Sequence, residues 1–140
     1  GNLGGIWPTV WHHDLQTPGS KAFVAKFLAK HGKPPENHAW IEYVSLKMMA
    51  QAMNEAKSTD TDKLIAYFES EAQFDLLKAR KGYFRSWDHQ LMQEAYPFTV
   101  KPKGRAKDKW DFLQFGDAVP APNQPLELLA TTKAENTCVM

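Results

Sequence analysis

Three amphipathic helical stretches follow one another between Thr17 and Ser70, yet only one short apolar segment, Leu3 to Val10, stands ahead of them as a strand. An apolar helix face has to be covered, and in a chain that mixes helices with strands the usual cover is a sheet. One strand is too little for three helices. The order of elements therefore predicts an α/β fold whose core is completed by other residues, most simply an N-terminal segment several strand–helix units long.

Local chemistry marks the ends of each helix. Thr17 is placed to cap the first, Pro18 suits its opening position, and Phe23, Val24, Phe27 and Leu28 recur at helical spacing until Gly32 stops it. After Pro34-Pro35, Asn37 is read as the cap of a helix running to about Ala56. Ile41, Val44, Met48 and Ala52 share one face with Trp40, Tyr43 and Met49 beside it, an arc wide enough to predict packing on two sides. Trp40, Met48, Met49 and Met53 are accordingly expected in the core. The run Ser58 to Asp62 offers caps for a third helix ending near Ser70, with Leu64, Ile65 and Phe68 as its buried stripe.

Beyond Phe74 the pattern changes to alternation. Phe84 to Trp87 and Leu91 to Val100 read as a hairpin around Asp88-His89-Gln90, with Pro97 leaving the second strand a free edge. Lys101 to Lys109 is a basic loop, Trp110 to Phe115 a last strand, and the proline-punctuated tail past Gly116 is expected to be extended.

Composition excludes several classes of function. Seventeen Lys plus Arg against sixteen Asp plus Glu leave a net charge of +1, so no long-range field draws in nucleic acid or anionic lipid. The apolar runs are a few residues long, against the roughly 20 that a membrane-spanning helix needs. The opening Gly-Asn-Leu-Gly-Gly has no signal-peptide character, so the true start is expected to lie upstream. Cys138 is the single cysteine, which allows no internal disulfide; it is a tail thiol or half of a bridge to a segment not in this chain.

Three landmarks carry a family likeness. The first is Trp11-His12-His13-Asp14-Leu15 with Pro18 and Phe23-Val24; the second is Lys30-His31-Gly32-Lys33-Pro34-Pro35 followed by Ala39-Trp40-Ile41-Glu42-Tyr43. The third is Phe84-Arg85-Ser86-Trp87-Asp88-His89-Gln90-Leu91 followed by Tyr96. In this order and spacing, the stretch from about Gly5 to Phe115 resembles the end of the type I periplasmic solute-binding proteins, specifically the leucine/isoleucine/valine-binding (branched-chain amino acid) receptors of ABC importers. The resemblance implies a fold of two α/β lobes closing on a ligand, with three crossings between them. It implies that residues 1–72 belong to the first lobe, that 73–116 hold the last crossing and a hairpin extending the second lobe, and that 117–140 form the tail. It also implies a periplasmic location, no cofactor, and three partners: a small amino-acid-like ligand, the permease subunits and the missing N-terminal part of the same protein.

One contact carries over by position. In the family an aromatic residue two places before the Trp of the Trp-x-x-Tyr motif lines the pocket, and here that place holds His38. An imidazole there departs from the pattern and points to a more polar or aromatic ligand than a plain aliphatic amino acid. Trp11 and His12 are candidate rim residues.

Other groups have plainer readings. His12, His13 and Asp14 are metal-ligand types, but neighbours on an extended segment point to opposite sides, so no metal site is expected. Asp88 and His89 read as turn residues, and the Lys101 to Lys109 run, without stacking aromatics inside it, reads as a solvated loop. The function expected is non-catalytic capture followed by lobe closure. Two rivals are a ligand-sensing regulatory or receptor domain of the same fold and, far behind, a metal-dependent hydrolase using His12, His13 and His38.

Overall fold

The computed structural model describes residues 4–137; Leu3, the expected start of the first strand, and Cys138 lie outside that range. The elements run β1 (Trp7–Thr9), α1 (Pro18–His31), α2 (Asn37–Ala56), α3 (Thr61–Glu69), β2 (Tyr83–Phe84), β3 (Leu91–Met92), β4 (Tyr96–Val100) and β5 (Leu113–Phe115), then a 3-10 turn, Leu126–Leu129. The helix, helix, helix, strand order is as the sequence predicts.

Helix ends obey local rules. The Thr17 hydroxyl accepts the Ser20 amide at 3.3 Å, and Gly32 closes α1 in the left-handed region with φ 68, its N–H on the Leu28 carbonyl. Asp60 caps α3 through the Lys63 amide at 3.2 Å. Asn37 is a correction: Glu36 holds the cap position of α2 with no side-chain cap bond, and Asn37 is the first helical residue. Its amide instead donates to the Thr9 hydroxyl at 3.5 Å, tying α2 to the end of β1.

The core gathers where the three helices meet the segment after α3. Trp11, Trp40, Val44, Met48, Phe74, Leu76 and Leu77 form it. Trp11 and Trp40 stack with ring centres 5.9 Å apart and planes 3° from parallel. Each indole N–H finds an acceptor: Trp11 donates to the Ser20 hydroxyl at 2.9 Å and Trp40 to the Leu76 carbonyl at 3.0 Å. Leu77 sits at φ 64, a conformation costly for a leucine. Its carbonyl accepts from both Thr17 and Ser20, and its amide donates to Asp75 at 2.8 Å, so several bonds hold the strained residue in place.

The hairpin expected from Phe84 to Val100 is divided. β2 pairs only with β3, while β4 is the middle strand of a separate sheet, β1-β4-β5, antiparallel throughout. The break at Gln93–Ala95 has a polar cause. Glu94 is buried; its carboxylate meets Arg80 at 3.3 Å and the Tyr96 hydroxyl at 3.2 Å. The Lys78 ammonium nitrogen reaches the Glu94 carbonyl and Gln93 Oε1, each at 2.6 Å. Satisfying these buried groups takes the chain out of the ladder.

Pro97 is likewise not on an edge. It lies opposite Pro8, so neither loses a bond that its neighbour needed. Its carbonyl accepts from Gly116 at 2.9 Å, one place past the end of β5. A strand residue's nitrogen and carbonyl point to the same side, so the missing N–H falls where the ladder has stopped.

Burial departs from the helical pattern on the outward faces. No residue of α3 is fully buried, and Ile65 is exposed. On α2, Val44, Met48 and Ala52 are covered but Ile41, Tyr43, Met49 and Met53 are exposed, as is Leu46 at 72%. The wide arc is packed on one side, not two. The tail is fastened, not simply extended: Val119 pairs with Ala95, Arg80 donates to the carbonyls of Pro120 and Gln124, both at 2.7 Å, and Arg85 reaches Thr131 at 2.9 Å.

Candidate ligand-facing site

β1 delivers the chain to the N-terminal end of α2. Thr9 donates to the Trp11 carbonyl at 3.0 Å while accepting from Asn37, which locks the strand end against the helix start. His38 follows in the first turn and is exposed. No side chain caps that turn and no acidic residue lies within it, while Glu36 at the cap position carries a carboxylate just ahead of the first-turn amides. Asn37 Oδ1 is a buried oxygen with no hydrogen-bond partner. The open first-turn amides can donate to a carboxylate, while Asn37 Oδ1 needs a donor such as an ammonium or amide group.

The second feature is the turn after Trp11. The Leu15 amide donates to the His12 carbonyl at 3.1 Å, so residues 12–15 curl and are not extended. The expectation that His12 and His13 diverge is overturned: their ring centres are 3.9 Å apart. One ligand-type atom from each of His12, His13 and Asp14 lies within 4.8 Å of the others, the one such group of three among the described residues. His38 is not part of that group, so the set of His12, His13 and His38 expected for a hydrolase is not brought together.

His12 rests on Phe115 with ring centres 4.4 Å apart. Burial, the neighbouring His13 and the charge of Lys101 lower its pKa to about 4, against the pull of Asp111, so the ring is neutral at ordinary pH. Asp111 pairs with Lys101 and also accepts the Lys107 amide at 2.9 Å. His13, Asp14, Lys101, Lys107, Asp111 and Phe115 line a groove of about 660 Å³ between the C-terminal half of α1 and the β4–β5 loop, with His12 behind Phe115. Its walls mix charged side chains with Trp110, Leu113 and Phe115.

Trp11 needs a second correction. At 1% exposure it is a core side chain that supports the wall from behind, not a rim residue. Asp88 pairs with Arg85 and accepts the Gln90 amide at 3.1 Å, which is turn chemistry as expected. Sequence reasoning missed Asn37 as a strand-to-helix tie, the Asp111–Lys101 pair facing His12, and the Lys78–Glu94 network. Only the last had a local signal, the polar pair Gln93-Glu94 between Leu91-Met92 and Ala95-Tyr96.

Comparison with known proteins completes the description. Residues 2–106 match the sequence family described as periplasmic binding protein. Among solved structures, a periplasmic binding protein from Burkholderia mallei is 28% identical, with a TM-score of 0.78 over 97% of this chain and 34% of that one. A branched chain amino acid ABC transporter periplasmic ligand-binding protein from Burkholderia xenovorans LB400 is 26% identical, with a TM-score of 0.70 over 81% of this chain and 29% of that one. An ABC-type branched-chain amino acid transporter from Rhodopseudomonas palustris CGA009 is 30% identical, with a TM-score of 0.69, covering 82% and 30%. No curated protein matches significantly. The chain spans about a third of the length of these solved relatives.

Proposed function

The chain belongs to the periplasmic binding protein family, and we propose on that premise that it is the C-terminal portion of a two-lobed receptor. In this reading the receptor captures an amino acid or related small solute in the periplasm and delivers it to the permease of an ABC importer. The observation that carries it is the bare apolar surface of α2, where Ile41, Leu46, Met49 and Met53 face outward on a helix whose other side is core. Such a face is the expected seat for sheet and helices contributed by the rest of a receptor about three times as long.

Within that receptor, the helices of residues 1–72 are assigned to the first lobe, while β1, which shares a sheet with β4, goes with β4–β5. The β2–β3 hairpin packs with α3, and Phe84 rests on the core cluster, which supports keeping the hairpin with the helices. The last crossing is then assigned to Gln93–Ala95, and β4–β5 to the second lobe. For an amino-acid ligand, the open N-terminal end of α2 is proposed to receive the carboxylate and His38 to contact the side chain. His12, packed on Phe115 beside the neighbouring groove, is a secondary candidate.

The test is a thermal-shift screen of the intact receptor, including the segment encoded upstream of Gly1, across aliphatic, aromatic and polar amino acids. Linkage raises the melting temperature only for ligands of the native state. One chemical class should raise it, and His38→Ala should reduce that shift. Silence toward every amino acid and related organic acid or amide would reject solute capture.

A further inference from the structure

We propose that His12, His13 and Asp14 form a binding site for one divalent transition-metal cation on the wall of the groove between α1 and the β4–β5 loop. The proposal does not rest on solute capture, although His12 is common to both, and it uses different residues from the α2 terminus.

Convergence comes first. The two oxygens of Asp14 each face a different imidazole, Oδ2 at 3.5 Å from Nδ1 of His12 and Oδ1 at 3.7 Å from Nε2 of His13. Ligands bound at 2.0–2.2 Å around a tetrahedral ion are roughly 3.4 Å apart; with one atom from each residue all within 4.8 Å, a small side-chain rotation brings the set to that spacing. Nδ1 of His12 accepts the Asp14 amide at 3.2 Å, which means that its lone pair points into the cluster. A cation would take that lone pair and leave the exposed amide to water.

The groups are also held. The Leu15 to His12 turn bond fixes the backbone, and tilted contacts of His12 with both Phe115 and His13 limit ring rotation. Little ordering entropy is then left to lose on binding. Charge is compatible. The nearest cation, Lys101, is engaged by Asp111, and Lys107 adds its amide to the same carboxylate. Two imidazoles and one carboxylate suit zinc, nickel or copper and are too few and too nitrogen-rich for calcium or magnesium. Asp14 is partly exposed and the groove is open beside it, so water can fill the remaining positions.

Isothermal titration with zinc chloride tests the site, using the chain in a Cys138→Ser background so that its one thiol does not compete. One zinc ion per chain is expected. Asp14→Asn and His13→Ala should each weaken binding by roughly 100-fold, since even outer-shell changes cost about 10–100-fold. Circular dichroism should be unchanged, because both side chains belong to a loop outside the helices and strands, Asp14 exposed and His13 half-buried. His89→Ala removes the exposed pair of His89 with Glu69 at 2.7 Å and should leave zinc affinity as it was. The proposal is overturned if zinc does not bind, if Asp14→Asn and His13→Ala leave the affinity unaltered, or if His89→Ala abolishes it.

Discussion

Replacing Lys78 by Met should remove most of the dependence of stability on pH between 7 and 9. Lys78 is 8% exposed and lies over the rings of Trp40 and Tyr96 at 5.0 and 5.8 Å. Burial lowers its pKa to about 7 from 10.5, against the attraction of Glu94. A neutral amine has two N–H groups, and Gln93 Oε1 and the Glu94 carbonyl accept two. The sign follows from where the protons are. Between pH 7 and 10.5 the unfolded chain holds this proton and the folded one does not, so stability rises with pH through that window. The penalty is full below pH 7 and disappears toward pH 10.5.

A whole-proton difference is worth about 1.4 kcal/mol per pH unit. Because the folded group is half-protonated at its own pKa, the gain from pH 7 to 9 comes to roughly 2 kcal/mol. Tyr96, raised by burial and by Glu94, acts in the opposite direction only at higher pH, where the unfolded phenol ionises first. Urea unfolding at pH 7 and pH 9 measures the effect as a change in midpoint. Wild type should gain and Lys78→Met should not, its thioether side chain occupying the space of the lysine stem. An equal gain in both proteins, or a flat wild-type profile, would refute the assignment of the window to Lys78.

Two further substitutions probe packing. A Cβ at Gly82 would lie 2.5 Å from Leu76 Cδ1 and 2.7 Å from the Met92 carbonyl oxygen, so Gly82→Ala should cost about 1–3 kcal/mol; an unchanged midpoint would show that β2 and β3 are not this close. Leu46→Lys, on the bare face of α2, should alter the stability of this chain by less than about 0.5 kcal/mol. In the intact receptor the same change should lower the melting temperature by several degrees, and equal insensitivity in both would mean that the face is never covered.

The sequence located helices well because their ends depend on neighbours a few residues away. Thr17, Pro18, Gly32 and Asp60 act as caps or stops in the structure as their chemistry requires. Candidate site residues were less legible. His38 was placed by likeness to a family, and the structure finds it exposed at the start of α2. Trp11 carried no mark that separates a rim aromatic from a core one; its stacking on Trp40 involves a residue 29 positions away.

Sequence alone determined the order of elements, the near-neutral charge and the need for a cover over three helices, since capping, turn preference and apolar periodicity are written within a turn or two. Tertiary structure decided the rest. It turned His12 and His13 to one side, because the Leu15 to His12 turn bond and the ring of Phe115 overrode strand alternation. It split the second strand at Gln93–Ala95, because Lys78 and Arg80, far back in the chain, needed partners there. Which apolar faces are covered depends on distant surfaces meeting, and no local pattern records that meeting.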